Sequence, residues 1–122
     1  MILETKGECP GANSAIDVIT GKWKPRILYR LSQSDSVRFN ELRRFIPEIT
    51  QKMLTAHLRE LEEDGVVSRE IYPEVPPRVE YSLTEYGQSI IPILQSLQDW
   101  GMNHLSRLQQ NHDGSTGTRT QM

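Results

Sequence analysis

A single cysteine, Cys9, among 122 residues leaves no intrachain disulfide to form and no multi-cysteine zinc site to build. Any disulfide through Cys9 has to reach another molecule. No apolar run approaches the roughly 20 residues that a membrane span needs. The opening MILETKGECPG also lacks the apolar centre of a secretory signal, so a cytoplasmic protein with no membrane partner is expected. Gly-rich phosphate loops are missing too. His57, His104 and His112 are scattered over different predicted elements, without the spacing of a metal site or of a Ser/His/Asp or Cys/His catalytic group. The sequence therefore disfavours an enzyme and a metal sensor, and it calls for no metal or cofactor.

Positive charge is in deficit overall. The net charge is −2 and the pI about 5.9, values that argue against a nucleic-acid partner until their distribution is considered. Residues 22–59 carry nine basic groups (Lys22, Lys24, Arg26, Arg30, Arg38, Arg43, Arg44, Lys52, Arg59) against Asp35, Glu41 and Glu48, a local balance of +6. Residues 60–100 carry only Arg69 and Arg78 against nine acids, a balance of −7. Phosphate binding depends on the local patch, so an acidic mean is no veto.

Along the chain, residues 1–9 read as an arm, and Pro10 suits the first turn of a helix because its missing N–H has no partner there. A short helix over about 12–20 would bury Ala15, Ile16, Val18 and Ile19, with Gly21 ending it. Pro25 opens the next helix, striped by Trp23, Ile27, Leu28 and Leu31. Val37-Arg38-Phe39 reads as a short strand. Asn40 is the expected N-cap of a brief helix that turns Leu42, Phe45 and Ile46 inward, and Pro47 stops it. Thr50 caps a second helix whose Leu54, Leu58 and Leu61 recur at i, i+4, i+7, and Gly65 closes it. Val66–Tyr72 and Val79–Leu83 then form a hairpin around the stiff loop Pro73–Pro77. Thr84 caps a long helix over 85–108, and the polar residues 109–122 read as a disordered tail. The expected fold is mainly α with a β-hairpin wing (α+β). It is a winged helix-turn-helix over 10–108 with a long C-terminal dimerisation helix.

If the three leucines face the core, the 3.6-residue period places Gln51, Lys52, Thr55, Ala56, Arg59 and Glu63 on or near the outer side. Gln pairs with adenine and Arg with guanine in bidentate fashion, the Thr and Ala methyls suit thymine, and Lys52 suits phosphate. For an isolated amphipathic helix this would be only a solvated charged face. The flanking short helix and hairpin make double-stranded DNA the expected partner. Arg78, beside the wing loop, is the candidate for the minor groove or a phosphate, against a salt bridge to Glu74 or Glu80. Lys22 and Lys24, at the start of a helix, are candidates to clamp the sugar-phosphate backbone. The last helix carries nine apolar positions, more than packing against three short helices would cover. A homodimer is therefore expected, with Ile93, Leu94, Leu97 and Trp100 at its interface. Its recognition helices would lie about 34 Å apart and demand an inverted-repeat site.

Several segments together resemble the HxlR-type family of bacterial transcriptional regulators, relatives of the MarR type, over about residues 9–105. They are Cys9-Pro10, Gly21-Lys22-Trp23-Lys24, Arg38-Phe39-Asn40-Glu41-Leu42, Gln51-Lys52-Met53-Leu54 with Leu58–Gly65, and Tyr72–Thr84 with its EVPPRVEYSLT run. The resemblance implies a homodimeric winged helix-turn-helix on a palindromic operator, in a family of both repressors and activators. A repressor is the expectation here. The resemblance also implies that a cysteine at the position of Cys9 senses disulfide stress, quinones or aldehydes.

From the residues alone, the helix start beside Cys9 favours a thiolate and Lys6 adds to this, whereas Glu4 and Glu8 oppose it. Cys9 therefore reads either as a sensor, meeting an electrophile or thiol, or as a small packing residue. Family members with a second cysteine in the C-terminal region differ from this chain. Two alternatives stay open: a protein-interaction adaptor without specific DNA binding, and a small-molecule-responsive regulator in which Cys9 is only structural.

Overall fold

The computed structural model describes residues 9–113. The expected arm, apart from Cys9, and the last nine residues of the expected tail lie outside that range. The chain divides into two compact units, Met1–Ile91 and Pro92–Met122.

In the first unit, helix α1 (Pro10–Ile19) starts with its proline in the first turn, and the chain leaves it through Gly21 at φ 96. Few residues other than glycine adopt that backbone readily. Ile19 is buried, but Ile16 is exposed. Helix α2 (Lys24–Ser32) follows, with Pro25 in its first turn and Ile27, Leu28 and Leu31 buried. Strand β1 (Val37–Arg38) is shorter than expected, because α3 (Phe39–Phe45) starts two residues early. Arg38 rather than Asn40 occupies the cap position, its N–H donating to Glu41 Oε1 at 2.9 Å. Leu42 and Ile46 reach the core, whereas Phe45 is exposed beside Tyr29 at a ring separation of 6.5 Å. Ile46 leaves the helix with φ −124 and ψ 77 and is fully buried.

Helix α4 (Gln51–Glu63) buries Leu54, Leu58 and Leu61. It ends through Gly65 at φ 81 and leads into β2 (Val67–Tyr72) and β3 (Arg78–Leu83). These pair antiparallel from Val67 opposite Leu83 to Tyr72 opposite Arg78. β1 also pairs antiparallel with β3, Val37 facing Tyr81, so the wing is the greater part of a three-stranded sheet in the order β1-β3-β2. Val37 and Tyr81 are both buried and join the sheet to the helical core.

The expected single helix over 85–108 is two. Thr84 caps α5 (Glu85–Gln88), its Oγ1 accepting the Gly87 N–H at 2.8 Å. The N–H groups of Ser89 and Ile90 then reach back only three residues, to Tyr86 O at 3.0 Å and Gly87 O at 3.1 Å. Pro92 explains the break. In a continuous helix it would offer no N–H to the Gln88 carbonyl and its ring would crowd it, but it is well suited to the first turn of a new helix. That helix, α6 (Ile91–Asp113), continues past 108, so residues 109–113 of the expected tail are helical.

Candidate nucleic-acid interface

Thr50 starts α4 by accepting the Met53 N–H on its Oγ1 at 3.0 Å, so the next residues leave the cap with a fixed rotation about the axis. With three leucines inside, Gln51, Lys52, Ala56 and Arg59 are exposed and Thr55 is half-buried beside them. These five side chains line one shallow depression of about 580 Å³. A neighbouring groove of about 560 Å³ runs from Gln51 and Thr55 to the wing at Arg69 and Val75, and to Arg38 and Asn40 of the β1–α3 junction. Arg38 and Asn40 are groove-lining residues that the sequence did not bring forward as candidates. Asn40 reads as a cap from the sequence, but α3 starts two residues earlier, so Asn40 lies inside the helix and lines the groove. The adjoining Arg38–Leu42 motif was the available signal.

Several basic residues are already engaged. Arg78 reaches Glu74 Oε2 at 3.0 Å and Glu80 Oε2 at 3.3 Å, and its guanidinium lies 4.0 Å from the Tyr72 ring. The salt bridge that competed with a DNA role for Arg78 is therefore formed twice over. Glu80 also accepts from Ser36 Oγ at 2.8 Å and has Arg38 Nε at 3.9 Å, so one carboxylate gathers β1, β3 and the turn before β1.

Lys24 departs further from expectation. It is 7% exposed, and its Nζ lies 2.6 Å from Glu60 Oε1 on α4, so it points into the protein instead of toward a phosphate backbone. The helical step explains the difference between neighbours: Lys24, beside Pro25 in the first turn of α2, shares a side with Leu28 and Leu31. Lys22, still outside the helix, is exposed with its ammonium 4.9 Å from the Trp23 ring. Among the described residues, neither Lys52 nor Arg59 engages a carboxylate.

Cys9 is exposed at the N-cap of α1, where its carbonyl accepts the Asn13 N–H at 2.8 Å. On α6, Ile93, Leu97 and Trp100 are 47%, 52% and 67% exposed, and Leu94 is half-buried. The Trp100 ring stacks on His104 at 5.1 Å. Among the described residues, no group of three or more His, Cys, Asp or Glu is placed to hold a metal, and no helix is long and apolar enough to cross a membrane.

A family model described as HxlR-like helix-turn-helix matches residues 18–109. The chain is 50% identical over 100 residues to YdeP of Bacillus subtilis (strain 168), named an uncharacterized HTH-type transcriptional regulator, covering 82% of this chain and 77% of that one. A solved structure described as the redox regulator HypR in its reduced form is 48% identical with a TM-score of 0.77, covering 83% of this chain and 98% of that one. The diamide-treated YodB of B. subtilis is 36% identical with a TM-score of 0.68, covering 80% and 95%.

The Lys24 ammonium, by hydrogen bond first and charge second, holds the Glu60 carboxyl below its ordinary value of 4.5. A carboxyl lowered in the folded state contributes stability that is present above its unfolded value and is lost as pH falls through the folded one. The stability advantage of the wild type over Glu60→Gln is therefore expected to narrow between about pH 6 and about pH 3. Urea unfolding across that range measures it, and a gap that stays constant or widens on acidification contradicts the ion pair.

Proposed function

Because the chain belongs to the HxlR-like helix-turn-helix family of transcriptional regulators, which are not enzymes, we propose that it works in the cytoplasm as a homodimeric repressor on an inverted-repeat operator. Its grip on that operator changes with the state of Cys9. The observation that carries this reading is the outward row on α4, where Gln51, Thr55 and Arg59 stand together beside Lys52 while Leu54, Leu58 and Leu61 are buried. A bidentate Arg–guanine or Gln–adenine contact discriminates by about 1–3 kcal/mol, and Lys52 and Lys22 supply phosphate contacts that are blind to sequence.

The apolar face of α6 supports the second copy. Ile93, Leu97 and Trp100 recur at i, i+4, i+7 and Leu108 continues their side of the helix, all of them exposed in the single chain. A stripe of that width on a 23-residue helix is costly to leave in water. Exposure of Cys9 at a helix start favours sensing over packing, since a cysteine used as filler is buried. Likeness to HypR, described as a redox regulator, points the same way. With one cysteine per chain, oxidation yields a Cys9–Cys9 disulfide between subunits, a mixed disulfide with a small thiol, or a sulfur oxyacid.

In a mobility-shift titration on genomic fragments, specific affinity is expected to fall steeply with salt; absent or salt-insensitive binding would instead indicate a protein-interaction adaptor. Arg59→Ala is expected to relax sequence preference by about 1–3 kcal/mol, and Lys22→Ala to weaken all DNA alike, lowering the salt slope by about 1. Identical effects from both would refute the assigned roles. Trp100→Glu is expected to sediment as a monomer at concentrations where the wild type is dimeric, and a dimeric Trp100→Glu removes α6 from the interface. In Cys9→Ser, operator affinity should no longer respond to diamide; a response equal to the wild type's rules out Cys9 as the sensor.

A further inference from the structure

We propose that Lys24 is a positioning residue for base recognition: its ion pair with Glu60 holds α4 at the rotation that presents Arg59 and Thr55 to DNA. The inference rests on the DNA-reading function above. It starts from an oddity of burial. Lys24 is the one charged residue of the described chain that is buried, and it spends its charge on a carboxylate that is half in water. Burying an ammonium costs several kcal/mol unless a partner meets it, and breaking such a pair leaves an uncompensated charge. The contact is therefore directional and stiff. It spans 36 residues of sequence, from Lys24 in the first turn of α2 to Glu60 in the last turns of α4.

A second tether acts on α4 from elsewhere. Glu62 Oε2 lies 3.0 Å from Arg69 Nε on β2. Glu60 and Glu62 are two positions apart, so they project roughly 200° apart around the helix axis. Their cations belong to different elements, α2 and β2. Arg59 projects from the arc between them. Apolar burial of the three leucines is strong but non-directional, and it tolerates small rotations of a helix on its core. Two ion pairs pulling from nearly opposite sides do not. The margin matters for recognition: at a radius of about 6 Å, a rotation of about 10° moves a side chain by about 1 Å, more than the spread of distances a hydrogen bond allows. His57 Nδ1, 3.8 Å from the same Glu60 oxygen, flanks the pair on α4 itself.

Lys24 acts on α4 from the start of α2. Two residues earlier, Lys22 is the phosphate candidate. One short segment therefore both grips the backbone and sets the angle of the helix that reads the bases.

The test uses full-length dimeric protein, a duplex selected by the wild type from a randomised pool, and a random-sequence duplex. Lys24→Met and Glu60→Gln are expected to lower the selected-to-random affinity ratio by about tenfold, the loss of one good base contact. Random-duplex affinity and its salt slope should stay within about twofold, since phosphate contacts are untouched. Lys24→Arg should keep most of the ratio, and the charge-swapped Lys24→Glu/Glu60→Lys should recover more of it than either single substitution. If Lys24→Met fails to fold, Glu60→Gln carries the test, because its side chain is half exposed and needs no burial. An unchanged ratio in Glu60→Gln overturns the proposal. So does a parallel fall in both affinities that tracks the folded fraction measured by circular dichroism, which would make the pair structural only. Failure of the wild type itself to discriminate the two duplexes overturns the DNA-reading function and the tether with it.

Discussion

Burial of Leu54, Leu58 and Leu61 decides which residues of α4 the solvent meets. Each fully buried leucine contributes about 1.5–3 kcal/mol relative to exposure. Turning the helix half a revolution would expose all three and sink Lys52 and Arg59 into the core without partners, at several kcal/mol per ion. No rearrangement of the surface can compete with that difference. The presentation of Gln51, Thr55 and Arg59 is thus a by-product of core packing, and the Thr50 cap and the Gly65 turn fix where the presented row begins and ends.

Within that coarse constraint, electrostatics is spent mostly on the protein itself. The +6 balance of residues 22–59 overstates the charge offered to a partner. Lys24 is consumed by Glu60, Arg26 lies 3.4 Å from Glu48, and Arg38 shares Glu80 with Arg78. Arg26 and the Glu48 backbone amide hold the Glu48 carboxyl below its ordinary range, the amide more than the arginine. Lys22, Lys52 and Arg59 stay out of this network and lie on one short segment and one helix face. Four of the seven acids between 60 and 80 are then counter-charges: Glu60 and Glu62 anchor α4, and Glu74 and Glu80 brace the wing. The acidic stretch from 60 to 80 and the basic stretch before it are thus parts of one ion-pair network.

Periodicity made the leucine row, the capped α4, the glycine exits and the hairpin legible from residue types alone, because each depends on neighbours within one or two turns. Long-range pairing was not legible. Helical spacing with Leu28 and Leu31 turns Lys24 and not Lys22 inward, but the Glu60 that meets it lies across the fold, where no local pattern points. Arg78 sits among Glu74, Glu80 and Tyr72, and sequence spacing offered a salt bridge or a DNA contact without choosing between them. The two-residue advance of α3 moved Asn40 off the cap, and Phe45 is exposed where Leu42 and Ile46 are buried. The proline that divides α5 from α6 was visible at position 92, but the wide apolar stripe around it read as one helix.

If Gln51, Thr55 and Arg59 read bases as proposed, a single α4 at about 1–3 kcal/mol per good contact separates its site from random DNA by about 10²- to 10⁶-fold. Specific regulators typically discriminate by about 10³–10⁷ in the face of a whole genome of competing sequence. Doubling the number of reading helices through the proposed dimer roughly squares that ratio without adding a contact to either subunit. The same arithmetic makes helix orientation the sensitive variable, because an error of rotation in one α4 is repeated by symmetry in the other. Rigidity at Lys24–Glu60 and Glu62–Arg69 would therefore count twice, and a change at Cys9 that altered the spacing of the two copies would act on both half-sites together.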